Sequence, residues 1–401
     1  MVETALRAVI DKPGEPPALS LAERDRRYAA VRASMRERGL DALMATGTDL
    51  LYLSGGLSGE EYGLLPVVED EEFEAVISWR WLVDIPEQVL LDSQEWVKRV
   101  RSGRTGIVMA DRIEELRLEK GTIGYSGAFG HAVIVGLSKK LPAMTLVDAS
   151  DIIADARTIK SAEEIALIDR ANRIFDAAVD RVQEVARPGV LGREVVQAGV
   201  QAMWDAGGDL DSAFSLNFGP EPVQNPVWAD IQLNLPIADG DLATLTAHSR
   251  FHYYSGHSDQ EIVIGEPKTR HMAMFEAVKA VRSTVLEHLR PGVTQREVID
   301  AYEARCKEVG YLSSPHSQIH QYGINVPEFP GRAFRIPDSK GGKGLGGAGN
   351  FSVEAGMIYS ISPTLIDKTT GETLLGGNSL VVTEDGFQAL GGREVELLVA
   401  A

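Results

Sequence analysis

The sequence of 401 residues is poor in cysteine and in aromatic side chains, and it has no long apolar run. Cys306 is the only cysteine, so no disulfide can form within the chain and nothing favours an oxidising compartment. No uncharged apolar stretch reaches the ~18 to 20 residues that span a bilayer. The first 17 residues lack the apolar core of a signal peptide. We therefore expect a cytoplasmic protein that has no membrane partner.

Basic residues are scarce relative to acidic ones. The chain has 40 Lys and Arg residues against 58 Asp and Glu residues, which gives a formal net charge of −18. Phosphate backbones are negatively charged, and the Lys and Arg residues form no basic stripe, so we expect no nucleic-acid partner. A mildly cationic or zwitterionic small molecule fits this charge better. The length, at roughly 100 to 200 residues per domain, predicts two or three domains.

Local patterns predict a flexible arm over residues 1–17, followed by an α/β domain over residues 18–157. Three prolines and scattered charges interrupt the arm. Ser20 and Glu23 form the capping box that starts a helix, and Gly39 is a natural residue for its end. Short apolar runs and strand-like stretches then alternate with helices, as in an α/β layer. These stretches are 41–44, 49–53, 66–69, 74–78, 121–125 and 145–147.

A sequence repeat distinguishes the second domain, residues 158–401. After a helix that Ser161 and Glu164 cap, the segment 187–195 reads RPGVLGREV, and it returns as RPGVTQREV at 290–298. The offset of 103 residues, 290 minus 187, is too long for a solenoid unit. It predicts two half-domains related by duplication, with a shared site between them. Coincidence in a common pattern of helix starts is the alternative.

Histidines are concentrated in one part of the sequence, because seven of the eight lie between positions 248 and 320. We expect His271 and His288 to be solvated, since both lie in helix-like stretches. His252 is expected near a hairpin turn, in a structural role. The other histidines of this stretch are candidates for function.

A strand over residues 253–264 would place three polar side chains on one face. Successive residues of a strand point to opposite faces, so His257, Asp259 and Glu261 would project together. Thr246 would lie on the preceding strand. A histidine beside two carboxylates can act as a general acid or base, or bind a metal. A satisfied structural hydrogen bond is the alternative, and the residues alone leave the choice open.

Five short motifs follow one another along the second domain: TIKSAEEI at 158–165, GDL at 240–242, GEP at 265–267, EAGM at 354–357 and VTEDG at 382–386. In this order they resemble the motifs of the pita-bread family, which includes methionine aminopeptidase, Xaa-Pro aminopeptidases, prolidase and creatinase. The N-terminal 155 residues are similar to the smaller domain of creatinase and of the proline-specific members. The resemblance implies an α/β N-terminal domain and an α+β pita-bread C-terminal domain with internal pseudo-twofold duplication.

The peptidases of this family hold two metal ions with two aspartates, a histidine and two glutamates. Four of these five positions differ here. The resemblance places Thr246 and His257 at the aspartates, and Ser362 and Gly377 at the glutamates, whereas His320 matches the histidine. A dinuclear hydrolytic centre cannot form without its bridging carboxylates. We therefore expect no metal cofactor and reject a metal-dependent aminopeptidase.

Creatinase is the nearer comparison, because it has also lost the ligands and hydrolyses a C–N bond of a small guanidino acid without metal. The resemblance places Asp259 at its substrate-binding glutamate, and Arg332 within one residue of its substrate-binding arginine. The catalytic histidine of creatinase precedes Asn-Pro-Val. Here Gln224 precedes that tripeptide, at 225–227, so the catalytic base has moved or the reaction differs.

The main hypothesis is metal-independent hydrolysis of an amide, amidine or cyclic C–N bond in a small polar or zwitterionic metabolite. His257, held by Asp259 or Glu261, is the expected general base, and His320 is the expected acid for the leaving group. Arg332 is expected to bind a carboxylate. The full set of expected substrate-binding residues is Gln224, Thr246, His248, Tyr322, Arg332 and Ser362.

Three other functions stay open at the level of sequence. The same acid and base could carry out an elimination. One zinc or iron could bind to His257, His320 and Asp259. The fold could also serve as a binding protein without catalysis. The resemblance further implies a homodimer in which the loop 55–63 closes the site of the partner subunit, and a plain surface loop is the alternative.

Overall fold

The computed structural model describes residues 18–57, 61–77, 87–92, 94–103, 105–219, 232–313, 318–328 and 351–400. Leu19–Arg157 forms one compact unit, and Thr158–Ala401 belongs to a second. The predicted arm, residues 1–17, lies outside the described residues. No helix in the described part of the chain has the length and apolar character needed to cross a membrane.

The smaller unit is an α/β structure with a mixed sheet. Its strands are β1 Ala42–Thr46, β2 Tyr62–Pro66, β3 Glu74–Ile77, β4 Arg99–Ser102, β5 Thr122–Ser126 and β6 Thr145–Asp148. Its helices are α1 Leu21–Glu37, α2 Thr48–Ser54, α3 Glu87–Asp92, α4 Thr105–Glu115, α5 His131–Lys140 and α6 Ser150–Ala156. The sheet order is β4-β3-β2-β1-β5-β6, in which β1 is antiparallel to β2 and parallel to β5. Apolar side chains of this sheet, α4 and α5 form the core.

The first helix of this unit, α1, begins and ends where the sequence predicts. The Ser20 hydroxyl accepts a hydrogen bond from the backbone N–H of Glu23 at 3.2 Å, and α1 ends before Gly39, which has a φ of 66°. The predicted strand-like stretch 66–69 was wrong, because Pro66 ends β2 and the following residues form a turn. The buried residues that define this strand are Leu64 and Leu65, which precede the proline.

The larger unit contains four helices and three sheets within its described residues. The helices are α7 Ala162–Val185, α8 Gly192–Asp205, α9 Thr269–His288 and α10 Gln295–Val309. The first sheet contains β7 Ala213–Gly219, β8 Leu242–Phe251, β9 Tyr254–Gly256, β10 Asp259–Ile264 and β18 Leu397–Ala400. The second contains β12 Gln318–Gln321, β13 Ile358–Ser362, β16 Asn378–Thr383 and β17 Gly386–Ala389. A small third sheet contains β11 Leu312–Ser313, β14 Thr364–Ile366 and β15 Thr373–Leu375.

The two halves of this unit repeat the same arrangement, which confirms the predicted duplication. A long helix, a turn and a shorter helix precede three neighbouring strands in each half: β7-β8-β10 in the first and β12-β13-β16 in the second. In the turns, Gly189 donates to the carbonyl of Ile237, and Gly292 donates to that of Val353. Both glycines have a positive φ, 91° and 86°, which glycine adopts without strain.

Helix α7 is the long helix of the first half, and its start and its buried face are as predicted. Ser161 and Glu164 form the capping box, with hydrogen bonds of 3.2 and 2.9 Å. The predicted apolar stripe is buried, and it consists of Ile165, Ile168, Phe175, Val179 and Val182.

The predicted single strand 253–264 was wrong, because it is interrupted. His252 and Tyr253 form the hairpin turn, with positive φ values of 46° and 67°, and β9 and β10 are separated by His257 and Ser258. The backbone N–H of His257 donates to a side chain, that of Asn172, at 3.3 Å. The break therefore places His257 between two strands.

Candidate active site

The strands β8 and β10 bring two of the predicted site residues into direct contact. Thr246 and Asp259 are cross-strand partners, and the Thr246 hydroxyl donates to Asp259 Oδ1 at 2.6 Å. The second carboxylate oxygen, Oδ2, is buried and has no hydrogen-bond partner among the described residues. This oxygen is therefore available to accept a hydrogen bond from a ligand.

The predicted aromatic and imidazole side chains form a cluster around His257. The centre of its ring lies 4.9 Å from that of His320, 6.0 Å from that of Tyr322 and 6.3 Å from that of His248. His257 and His320 are 4% and 1% exposed. Two segments that are distant in sequence, 248–257 and 320–322, therefore meet around the buried ring of His257.

The hydrogen bond of its Nδ1 atom determines which ring nitrogen of His257 is basic. Nδ1 lies 3.1 Å from the carbonyl oxygen of Ala247. A carbonyl only accepts, so Nδ1 carries the proton in the neutral ring and Nε2 carries the lone pair. Nε2 is buried and has no partner within the described parts of the chain. The predicted support of the ring by Asp259 or Glu261 was wrong, because both carboxyl groups bond to threonines of β8.

Glu261 lies away from the histidine cluster and is fully buried. Its carboxyl oxygens lie 2.9 and 3.0 Å from the Thr244 hydroxyl, and Oε1 also accepts a hydrogen bond from the backbone N–H of Leu375 at 3.2 Å. Burial raises the pKa of Glu261 to about 8, although these hydrogen bonds act in the opposite direction. The side chain is therefore mostly a neutral acid at pH 7. The prediction that Glu261 acts with His257 in catalysis was wrong, because its carboxyl group contacts Thr244 and Leu375.

A buried amide on α7 holds the segment around His257. The Asn172 side-chain oxygen accepts hydrogen bonds from the backbone N–H of His257 at 3.3 Å and from the hydroxyls of Ser258 and Ser379, both at 3.0 Å. Its amide nitrogen donates to the Tyr322 hydroxyl at 3.2 Å. Tyr322, predicted to bind substrate, is fully buried and shares this network, and burial raises the pKa of its hydroxyl.

Gly377 occupies a position that no larger residue can take in this backbone. It exchanges two backbone hydrogen bonds with Asp259, of 3.0 and 3.1 Å. A Cβ atom added at Gly377 would lie 2.1 Å from the carbonyl oxygen of Ile361 and 2.4 Å from Cα of Ser362. The Ser362 hydroxyl is buried and has no partner among the described residues. Gly377 is therefore packed directly against the backbone of Ile361 and Ser362.

The donor set does not fit a dinuclear metal centre. Of the five positions that hold the metals in the peptidases, only His257 and His320 offer a strong ligand here, and none offers a carboxylate. The described part of the chain contains no group of three or more His, Cys, Asp or Glu side chains placed to hold a metal ion. His257, His320 and Asp259, the alternative set of ligands for one zinc or iron, therefore do not form such a group either.

A pocket of about 360 Å³ adjoins the cluster at His248, which was predicted to bind substrate. The ring nitrogen Nε2 of His248 lies 3.2 Å from the Ser215 hydroxyl. Loss of solvent lowers the pKa of His248, and the neighbouring His257 and Arg250 act in the same direction, against Asp259. The residues that line the pocket are His248, Arg250, Ser255, Asn325, Val326 and Pro327.

The prediction that both helical histidines are solvated was wrong for one of them. His271 is fully buried, and its Nε2 lies 2.9 Å from Glu372 Oε1. Glu372 supplies a partner from a distant loop, and helical spacing alone does not reveal it. His288 is exposed and contacts the carbonyl of Thr284.

Two site residues were missed by sequence reasoning, and two predicted ones lie outside the described residues. Arg250 continues the alternation of polar side chains along β8, two positions after His248, and this alternation was a usable signal. Asn172 is a polar residue on the buried side of α7, which was a second signal. Gln224 and Arg332 lie outside the described ranges.

Comparisons with known proteins agree with this architecture. Metallopeptidase family M24 matches residues 166–387, and the creatinase/prolidase N-terminal domain matches residues 27–159. An Xaa-Pro dipeptidase of Pyrococcus furiosus is 25% identical over 72% of this chain and 78% of its own length. A creatinase of a Bacillus species is 25% identical over 93% of this chain and 91% of its own. The crystal structure of the prolidase from Pyrococcus horikoshii has a TM-score of 0.75 at 22% identity, covering 93% of this chain and 99% of that chain.

Proposed function

Because this chain belongs to metallopeptidase family M24, the pita-bread family, we propose that it is a hydrolase whose chemistry no longer uses metal ions. Its substrate is a small polar or zwitterionic metabolite, and the bond cleaved is the C–N bond of an amide, amidine or cyclic amidine. One observation supports the proposal: Nε2 of His257 is buried and has no partner among the described residues. The resemblance, in addition, matches Thr246, Ser362 and Gly377 to positions where the peptidases of the family bind metal.

His257 is the general base of the proposed reaction. Its Nδ1 proton is committed to the carbonyl of Ala247, so Nε2 accepts a proton from water. The backbone of His257 is fixed by Asn172, which limits the positions that Nε2 can adopt.

His320 is the acid that completes the reaction. The water oxygen forms a bond to the substrate carbon while His257 takes one water proton. The C–N bond then breaks, and the leaving nitrogen takes a proton from His320. The two rings lie 4.9 Å apart, so the proton gained by His257 can return to His320 for the next turnover. One water is consumed in each cycle.

Asp259 and Ser362 supply the remaining polar contacts. Asp259 Oδ2 is buried without a partner among the described residues, and it can accept an N–H of an amide, amine or amidine. The Ser362 hydroxyl is similarly unpartnered, and it can donate to the oxygen that becomes negative during attack. A substrate with both an N–H and a carbonyl or amidine carbon satisfies these groups together.

The relatives support hydrolysis, because the similar proteins are named Xaa-Pro dipeptidase and creatinase.

Metal analysis of the purified chain, prepared without a metal-binding tag, tests the proposal. We expect less than about 0.1 zinc, iron, manganese or cobalt per chain, and hydrolysis of a member of a panel of small amides and cyclic amidines that chelators leave unchanged. Stoichiometric metal together with loss of turnover on chelation would contradict it. In water labelled with ¹⁸O, hydrolysis places the label in the product, whereas elimination does not.

Substitution of the base tests the mechanism. His257→Ala is expected to lower kcat at least about 100-fold, which is the usual scale for a general base. His288→Ala, at an exposed histidine, serves as the control and should retain full turnover. Full turnover of His257→Ala would rule out the assignment.

A further inference from the structure

We propose that the pocket beside His248 binds a carboxylate group of the substrate and that Arg250 recognises it. The proposal rests on the proposed function, because it assigns a substrate class to the same site. The class is a small carboxylic acid whose scissile C–N bond lies a few bonds away from the carboxylate. Arg250 is thus a specificity-determining residue of this chain.

The guanidinium of Arg250 is held in place from one side. Its Nη1 donates to the carbonyl oxygens of Tyr253 and Ile324, both at 3.3 Å, and its Nε lies 3.2 Å from Asp211 Oδ2. These contacts involve Nη1 and Nε, so Nη2 is the guanidinium nitrogen that we assign to the carboxylate. The backbone carbonyls fix the plane of the guanidinium, so this donor has a more defined direction than the ammonium of a mobile lysine.

The positive charge of Arg250 is poorly compensated. The side chain of Asp211 is 65% exposed, and an ion pair with an exposed partner is weak in water. Among the residues that line the pocket, Arg250 is the one with a permanent positive charge. A chain with a net charge of −18 therefore presents a cation in a polar pocket, and this arrangement selects an anionic group.

The spacing along β8 connects this cation to the proposed base. Arg250 and His248 are two residues apart on the same strand, which corresponds to about 7 Å. His248 in turn lies beside His257, with a distance of 6.3 Å between ring centres. His248, which lines the pocket and lies beside His257, therefore connects the pocket of Arg250 to the cluster that contains the proposed base. The volume of about 360 Å³ suits an amino-acid derivative rather than an extended peptide.

Matched pairs of acids and amides test the proposal by calorimetric binding to the full chain. The probes are N-acetylglycine and N-acetyl-β-alanine, each against its primary carboxamide. At least one acid is expected to bind the wild type and to bind Arg250→Gln at least about tenfold more weakly, as expected for loss of a charge-assisted pair. Its amide should bind the wild type as weakly as the acid binds Arg250→Gln.

Two variants control for charge and for folding. Arg181→Gln removes one exposed positive charge on α7 and should bind the acid like the wild type. Arg250→Lys keeps the charge and should retain part of the affinity. If Arg250→Gln does not fold, the comparison of acid with amide on the wild type and on Arg250→Lys decides the question.

The proposal is overturned if the acids bind wild type and Arg250→Gln equally, if acid and amide bind equally, or if neither acid binds the wild type at about 10 mM. The same titrations on His257→Ala separate it from the proposed function, because that variant should keep the preference for the acid. Arg250-dependent binding without any C–N hydrolysis would refute the proposed function alone. Hydrolysis without discrimination by Arg250 would refute this proposal alone.

Discussion

At the residue scale, polar side chains that alternate along one stretch of sequence have different chemical environments. His257 Nδ1 contacts the carbonyl of Ala247, and Asp259 contacts the Thr246 hydroxyl. Glu261, two positions further on, has its own threonine partner and is fully buried. The hydrogen bonding and burial of each side chain therefore depend on the residues that it contacts in the fold and not on its neighbours in sequence.

Glu261 gives a prediction about stability against pH. Its pKa of about 8 in the folded chain lies above the ordinary value of 4.5, so the folded chain holds a proton that the unfolded chain has released between those values. The contribution of this group to stability is fully present below pH 4.5 and is lost as the pH rises to about 8. We expect Glu261→Gln to remove a slope of up to about 1.4 kcal/mol per pH unit from the free energy of unfolding.

Urea denaturation at several pH values between about 5 and 8 measures this slope. Glu266→Gln, at an exposed glutamate, is the control and should keep the slope of the wild type. Parallel curves for the wild type and Glu261→Gln would show that Glu261 is ionised in the folded chain.

At the level of secondary-structure elements, helix α7 positions the proposed base, His257, through the side-chain amide of Asn172. Asn172→Ala leaves the hydroxyl of Ser258 and the N–H of His257 without their acceptor, whereas the Ser379 hydroxyl keeps the carbonyl of His257. We expect a loss of at least about 2 kcal/mol in the free energy of unfolding, because buried donors without partners are costly. We also expect kcat to fall more than KM changes, since the position of His257 is disturbed.

Asn172→Asp keeps an acceptor oxygen for the three donors and should restore most of kcat. Gln201→Ala, at an exposed position of α8, is the control for a lost side-chain amide. If Asn172→Ala lowers stability but leaves kcat unchanged, Asn172 has a structural role only.

The close contact of Gly377 with β13 gives a second prediction for an element. A Cβ atom at Gly377 would overlap backbone atoms of Ile361 and Ser362, which cannot move as a flexible side chain does. We expect Gly377→Ala to lower the free energy of unfolding by at least about 2 kcal/mol, on the scale of overpacked cores. Gly392→Ala, where the nearest atoms lie 3.4 Å away on side chains, should change it by less than about 0.5 kcal/mol. Urea denaturation of both variants compares them, and equal stabilities would contradict the argument.

At the scale of the whole molecule, the resemblance to the pita-bread family leads us to propose a homodimer. Light scattering after size exclusion should give a mass of about 87 kDa, twice the 43.5 kDa of one chain. Because each chain carries a net charge of −18, repulsion opposes association and salt screens it. We therefore expect the dimer to be more populated at about 0.15 M salt than at about 0.01 M. A mass of 43.5 kDa at both salt concentrations would contradict the proposal.

Features that depend on interactions between near neighbours in the chain could be predicted from the sequence. Capping residues set the starts of α1 and α7, and apolar spacing identified the buried face of α7. The repeated turn at Gly189 and Gly292 identified the duplication of the larger unit. That Ser362 and Gly377 replace metal ligands is a prediction from the resemblance and stays a prediction.

Which side chains contact one another depends on the tertiary structure and could not be predicted from the sequence. The partners Asn172 and His257 are 85 residues apart in sequence, and Leu375 reaches Glu261 across 114 residues. Periodicity and capping describe the chain over a few residues, whereas hydrogen-bond partners and burial depend on how distant segments pack. The identity of the basic nitrogen of His257, the neutral state of Glu261 and the pocket at Arg250 therefore appear only in the folded chain.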